Sequence, residues 1–236
     1  MLLDSLLFET LHQATRLAHR RLERQVDIYR PNFDIHNYRR LLQGFWGFYQ
    51  PLERKLAVLA DHNLPTSYSQ QRRKAPRLEQ DLLALRMTEA DIAALPLCGR
   101  LPVIPTLPQV FGVLYVIDGA ALGERIATIH FGGNNLGISP SQGGSFFSSL
   151  SAFHGPFLDT CRQDFIVMAE AVEESGHQDL VVQSAIDTLE CLERWLDHRK
   201  QSHVKNSMLM NSMRWNAQLE SELFRTERIG DIDNVA

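Results

Sequence analysis

Two glycines one helical turn apart, Gly119 and Gly123, lie inside a segment that otherwise has the composition of one long helix. Glycine in a helix interior costs about 1 kcal/mol relative to alanine, so the pair gives up about 2 kcal/mol. Residues at positions i and i+4 share one face of a helix. The segment therefore predicts a strip of bare backbone that admits a very close neighbour, either a second helix or a flat ligand.

A second motif lies near the N-terminus, where residues 11–23 contain neither glycine nor proline and have the apolar spacing of an amphipathic helix. Four polar residues fall on one face of this helix: His12, Thr15, His19 and Glu23. Imidazole is a common protein ligand of heme iron, and its second nitrogen then needs an acceptor, for which Glu23 is suitably spaced. A lone histidine is more often an ordinary core or surface residue. A histidine helix together with a glycine-thinned helix is what a heme held between two helices requires.

Six sequence blocks extend this pattern over most of the chain. The first is Leu11-x-x-Ala14-Thr15-x-x-x-His19-x-x-Leu22-Glu23, and the fourth is Leu114-Tyr115-Val116-x-x-Gly119-x-x-Leu122-Gly123. The others lie within residues 38–53, 77–85, 136–147 and 185–196. Each block alone is a weak signal, because short motifs occur by chance. In this order, they resemble the biliverdin-producing heme oxygenases, most closely the bacterial type.

The resemblance implies an all-α, single-domain helical bundle with heme between a proximal helix and a kinked distal helix. It implies oxidative cleavage of heme to biliverdin, carbon monoxide and ferrous iron, with heme as both cofactor and substrate. His19 corresponds to the iron ligand, and Gly119 and Gly123 correspond to the distal backbone that lies over the heme. The residues expected to contact heme are His12, Thr15, Arg16, Glu23, Tyr115 and Phe147. Phe147 is expected first of all to be a core aromatic.

The sequence departs from the family pattern at three positions. His12 stands where the family usually has lysine or arginine, Ala120 replaces a polar residue, and Glu124 replaces a third glycine. Ala120 has no polar group that could order water near the distal helix. These changes leave open an alternative of another class, a non-catalytic heme carrier or sensor.

The three cysteines raise a further alternative, a thiaminase-type helical enzyme with a cysteine nucleophile. Cys98, Cys161 and Cys191 show no evident acid–base neighbour pattern and no short metal-ligand spacing. An odd number of widely spaced cysteines favours reduced thiols in a cytosol over a disulfide framework. We therefore expect a cytoplasmic protein with free thiols.

The composition of the chain limits the kinds of partner that it is expected to bind. The net charge is −4 with mixed signs, which argues against nucleic-acid binding. No apolar run has the length of a membrane span, and the first residues lack the basic flank of a secretory signal. Neither a dinucleotide nor a flavin fingerprint is present, so electrons are expected from an external donor, a small electron-transfer protein or a reductase.

The apolar residues have helical periodicity that is interrupted at proline and glycine residues, and this pattern predicts a chain with no strands. We expect a helical domain over residues 1–200 and a C-terminal extension over 201–236. Asp34 and Thr88 are predicted N-caps. Helices are predicted at Leu3–Val26, Asp34–Asp61, Pro76–Leu85, Thr88–Leu95, Leu107–Phe131, Phe146–Glu174 with a break near His154-Gly155-Pro156, and Asp179–Gln201.

Overall fold

The structure is a computed structural model that describes residues 6–26, 32–60, 73–118, 136–139, 141–151, 156–202 and 208. Over these ranges it is all-α, and no strand occurs among them. The helices are α1 Leu6–Val26, α2 Ile35–Ala60, α3 Ala75–Ala84, α4 Glu89–Ala93, α5 Leu107–Ile117, α6 Ser145–Ser151, α7 Pro156–Ser175 and α8 178–202. None of the described helices combines the length and the apolar character needed to cross a bilayer.

The predicted helices agree closely with those of the structure. The predicted break near Pro156 separates α6 from α7, and Pro156 is the first residue of α7. Both predicted N-caps are present: Asp34 accepts a hydrogen bond from the backbone N–H of Asn37, and Thr88 forms a reciprocal capping box with Asp91. The helix predicted to run from Leu107 to Phe131 ends at Ile117 in the structure, with Asp118 as its C-cap, and the predicted residues 119–131 lie outside the described residues.

The chain divides into two compact units, Met1–Leu196 and Asp197–Ala236. The features discussed below all belong to the first unit. The predicted division at residue 200 into a helical domain and an extension stays a prediction.

An apolar stripe on α1 places this helix against the core. Its buried residues recur every three or four positions, which is the spacing of one helix face: Leu7, Leu11, Thr15, Ala18, Leu22 and Val26. The ring of Phe8 packs edge-on against Phe111 of α5 and Phe165 of α7, with centroids 6.1 and 6.2 Å away. The start of α1 is therefore anchored in an aromatic cluster shared by three helices.

Helix α8 packs so closely on α5 that glycine is required at their crossing, and it also packs on α2 next to Gly44. A Cβ atom added to Gly112 of α5 would collide with the carbonyl oxygen of Val181 and lie 2.8 Å from Cβ of Ser184. A Cβ atom on Gly44 of α2 would lie 2.7 Å from Leu196. Trp195 donates a 2.8 Å hydrogen bond from its indole nitrogen to the carbonyl of Gly44. These contacts make α8 the helix on which α2 and α5 converge.

A buried carboxylate on α3 holds the start of α6. Asp81 is 1% exposed and accepts 2.8 Å hydrogen bonds from the backbone N–H groups of Ser145 and Phe146. These are unpaired donors of the first turn of α6, so Asp81 acts as a cap from a distant part of the chain. Tyr38 of α2 donates a 2.8 Å hydrogen bond to the carbonyl of Gly143 just before α6. Helices α2, α3 and α6 are thereby tied together through buried polar groups.

We expect Gly112→Ala to destabilise the protein by about 1–2 kcal/mol, because overpacking at the α5–α8 crossing outweighs the gain of about 1 kcal/mol in helix propensity. Urea denaturation followed by circular dichroism measures this change. Gly99→Ala is the matched control, since a Cβ atom there meets nothing within 4 Å. A Gly112→Ala variant as stable as the parent protein would contradict the close crossing of α5 and α8.

Candidate functional site

His19 lies on α1 with its side chain half-buried. Its ring donates a hydrogen bond to the backbone carbonyl of Thr15, one turn earlier. Burial lowers the pKa of His19 below its ordinary value of 6.5, and this effect outweighs the Thr15 hydrogen bond and the charge of Glu23, which both raise it. At pH 7 the imidazole is therefore neutral, with one nitrogen bonded to the backbone and the other left as a lone-pair donor.

The His19 ring is hydrogen-bonded to the Thr15 backbone, a partner that its motif did not predict. The role of Glu23 as acceptor stays a prediction. Glu23 is half-buried and acts on the His19 ring through its charge. An acceptor of either kind fixes which ring nitrogen carries the proton.

Thr15 also connects α1 to α5. Its side chain is fully buried and donates a 2.7 Å hydrogen bond to the carbonyl of Leu11. The Thr15 side chain also contacts the phenol of Tyr115 on α5. Burial raises the pKa of Tyr115, and the contact with Thr15 opposes that effect. Helices α1 and α5 thus meet at Thr15, which lies four residues before His19, and at Tyr115, which lies four residues before Gly119.

The other predicted contact residues fall into two groups. His12 and Arg16 are exposed on α1. Phe147 of α6 is 1% exposed, and its ring packs against Tyr38, Phe45 and Phe146 at centroid distances of 4.8–6.0 Å. This is the core position expected first for Phe147, and its contact with heme stays a prediction. Gly119, Gly123, Ala120 and Glu124 lie outside the described residues.

A buried ion pair lies at the C-terminal end of α5. Asp118, the residue directly before Gly119, is the C-cap of α5, and its carboxylate lies 3.5 Å from the ammonium group of Lys74. The two side chains are 6% and 5% exposed. Lys74 is the N-cap of α3, so the pair ties the start of α3 to the point where the glycine segment begins.

Glu53 of α2 completes this polar cluster. It is fully buried and accepts hydrogen bonds from the backbone N–H groups of Lys74 and Ala75, the first residues of α3. Burial raises the pKa of Glu53, and the α3 N–H groups and nearby cations oppose that effect. Tyr49, one turn earlier on α2, is buried close enough to Glu53 and Asp118 that their charges add to the effect of burial in raising its pKa. This cluster was not predicted from the sequence, although a charged residue that ends an apolar helix is a signal visible there.

Helix α1 is also held by charge. The Nε–H of Arg21 donates a bifurcated hydrogen bond to both carboxylate oxygens of Glu193 on α8, each 3.0 Å away, and its Nη2 lies 3.5 Å from Glu190. Gln25 donates a 3.0 Å hydrogen bond to the backbone carbonyl of Glu193. Arg21 and Gln25 thereby fix α1 on α8.

The donor chemistry of His19 fits heme better than a free metal ion. Among the described residues, no three histidine, cysteine, aspartate or glutamate side chains come together as a metal-ion site. A porphyrin supplies four nitrogen ligands itself and needs one imidazole from the protein. A neutral imidazole with its N–H already bonded meets that need.

The comparison with protein families agrees with this chemistry. The family model for heme oxygenase matches residues 5–147, which is more than half of the chain. The chain belongs to the heme oxygenase family. No curated protein and no solved structure matches it. The span shared with the heme oxygenase model contains α1 with His19, Tyr115 and both predicted distal glycines, and it ends at Phe147.

We expect Lys74→Met to destabilise this heme oxygenase family protein by about 3–5 kcal/mol, because it leaves the Asp118 carboxylate buried without its counter-ion. Thermal and urea unfolding measure the loss. The matched control is Arg194→Met, which breaks an ion pair of the same 3.5 Å length with Glu190, in which the Arg194 side chain is 70% exposed. That change is expected to cost less than about 1 kcal/mol. Equal losses in the two variants would contradict a special role for the buried pair.

Proposed function

We propose that this protein binds heme through His19 and opens its ring oxidatively, releasing biliverdin, carbon monoxide and ferrous iron. Oxygen is the second substrate, and the electrons come from an external donor, a small electron-transfer protein or a reductase. The observation that carries the proposal is the neutral, half-buried His19 with its ring N–H bonded to Thr15, in a chain of the heme oxygenase family.

When bound, heme supplies both the iron at which oxygen is activated and the ring that is opened. His19 supplies one ligand from the proximal side through its free nitrogen. The Thr15 carbonyl keeps the imidazole in the tautomer that leaves this nitrogen unprotonated. The charge of Glu23 makes the imidazole more basic, which strengthens it as a donor.

Two further groups of residues complete the proposed site. Gly119 and Gly123, which lie outside the described residues, are expected to supply bare backbone on the side of the heme opposite His19, and the contact between Tyr115 and Thr15 joins the helix that leads into them to the proximal helix. His12 and Arg16, which are exposed on α1, would bind the heme propionates at the mouth of the site. Ala120 has no polar side chain, so backbone carbonyls at the predicted glycine kink are expected to order the water that delivers protons.

Aerobic turnover of the hemin complex tests the proposal directly. The full-length protein is mixed with hemin and supplied with oxygen and a small ferredoxin with its reductase, and the products are identified by absorption and mass spectrometry. We expect loss of the Soret band and formation of biliverdin. Release of peroxide with the heme intact would overturn catalysis in favour of a heme carrier or sensor. In a separate assay with added thiamine, cleavage of thiamine would indicate the thiaminase-type alternative.

We expect His19→Ala to lose the absorption spectrum of imidazole-ligated hemin while keeping its helical content, because no other ligand replaces the proximal nitrogen. Added imidazole should restore a similar spectrum by occupying the space left by the side chain. His12→Ala is the matched control on the same helix, and it should keep the parent spectrum. Loss of the spectrum in His12→Ala and its retention in His19→Ala would mean that the ligand is wrongly assigned.

We expect Gly119→Leu to reduce the rate of biliverdin formation at least 10-fold with little change in circular dichroism, since a side chain there enters the space of the heme. Helix propensity alone would make the leucine variant more stable. Gly99→Leu, at a position with open space around it, serves as the control and should keep the parent rate. A fully active Gly119→Leu protein would favour simple helix packing as the reason for the glycines.

A further inference from the structure

Two of the cysteines lie side by side although they are far apart in the sequence. Cys98 is in the segment between α4 and α5, and Cys191 is on α8. Both thiols donate to one shared acceptor, the carbonyl oxygen of Arg100, which lies 3.5 Å from the sulfur of Cys98 and 2.7 Å from the sulfur of Cys191. The residues are 6% and 5% exposed. The proposed heme chemistry uses neither of them.

The surroundings make the two thiols unequal. The neighbouring Cys191 thiol has the largest effect on Cys98 and, with the charge of Arg194, lowers the pKa of the Cys98 thiol to about 7. The same contact raises the pKa of Cys191. Cys98 is therefore the thiol that ionises first, while Cys191 keeps its proton beside it. A nucleophilic thiolate next to a second thiol is the arrangement found in cysteine pairs that oxidise to disulfides.

The backbone on both sides of the pair is held in place. The N–H of Cys98 donates a 2.8 Å hydrogen bond to the carbonyl of Gly47 on α2. Cys191 lies on α8 between Ser184, which donates to the carbonyl of Gln109, and Trp195, which donates to the carbonyl of Gly44. The sulfur atoms thus meet because two anchored segments bring them together.

We propose that Cys98 and Cys191 form a redox modification site, at which hydrogen peroxide converts the thiol pair into a reversible disulfide. The thiolate of Cys98 attacks one oxygen of the peroxide, the O–O bond breaks, and the products are a sulfenic acid on Cys98 and water. The sulfur of Cys191 then attacks the Cys98 sulfur, the S–S bond forms, the S–O bond breaks, and a second water leaves. Two thiols are oxidised and one peroxide is reduced to two waters.

The cross-link would act on the framework of the proposed site. It would join the segment that leads into α5 to α8, the helix that also holds α1 through Arg21 and Glu193. A disulfide between positions 98 and 191 closes a long loop and so restricts the unfolded chain. We expect the oxidised protein to unfold at a midpoint roughly 5–10 °C higher than the reduced protein.

The experiment treats the reduced full-length protein, without added hemin, with hydrogen peroxide, and maps the products by mass spectrometry of tryptic peptides. We expect a Cys98–Cys191 cross-linked peptide that has lost two hydrogen atoms and disappears on treatment with dithiothreitol. Cys161→Ser is the matched control, because it removes the third cysteine and should still form the same cross-link. Cys98→Ser and Cys191→Ser should form no intramolecular disulfide, and their circular dichroism spectra check that they fold.

Several results would overturn the proposal. One is that the native protein keeps both thiols reduced and a disulfide forms only after denaturation. Another is that Cys161 replaces either partner in the cross-link, or that oxidation stops at an isolated sulfinic acid. Since no heme is present, these outcomes are independent of whether the protein degrades heme.

Discussion

The crossing of α5 and α8 at Gly112 is the contact on which the proposed site depends most. With no side chain at this position, the backbones approach so closely that a single methyl group would strike Val181. The hydroxyl of Ser184 strengthens the crossing by donating a 2.7 Å hydrogen bond to the carbonyl of Gln109. Because α5 leads directly into Gly119, the crossing sets the position from which the glycine segment starts. Helix α8 also holds α1 through Arg21 and Glu193, so it positions both helices of the site.

Buried charged side chains join helix ends that are distant from each other in the sequence. Glu53 caps α3 and Asp81 caps α6, and each carboxylate satisfies backbone N–H groups that have no partner within their own helix. The Lys74–Asp118 pair connects the start of α3 to the end of α5. A buried ion pair contributes little net stability, because desolvation offsets the attraction between its charges. Its value here is geometric, since it fixes the residue directly before Gly119.

The chemistry of His19 follows from its place at the edge of the core. Full exposure would leave the imidazole partly protonated near neutral pH, and a protonated ring cannot bind iron. Half-burial lowers its pKa, and the Thr15 carbonyl accepts a hydrogen bond from the one ring N–H that remains. The same threonine contacts Tyr115 through its side chain, so a single residue orients the proposed ligand and links the two helices of the proposed site.

The sequence by itself determined the helices and the identity of the proposed ligand. Apolar spacing defined α1, the caps at Asp34 and Thr88 defined helix starts, and the break before Pro156 was visible because proline and glycine act through local backbone geometry. His19 was identifiable from its motif. Only the tertiary structure decided that the Thr15 backbone bonds to the His19 ring and that Arg21 binds α8. It also decided that Lys74 meets Asp118 and that Cys98 meets Cys191. Except for the local His19 hydrogen bond, these contacts join residues that are 44 to 172 positions from each other in the sequence. Helical periodicity carries no information about which helix faces meet across such separations.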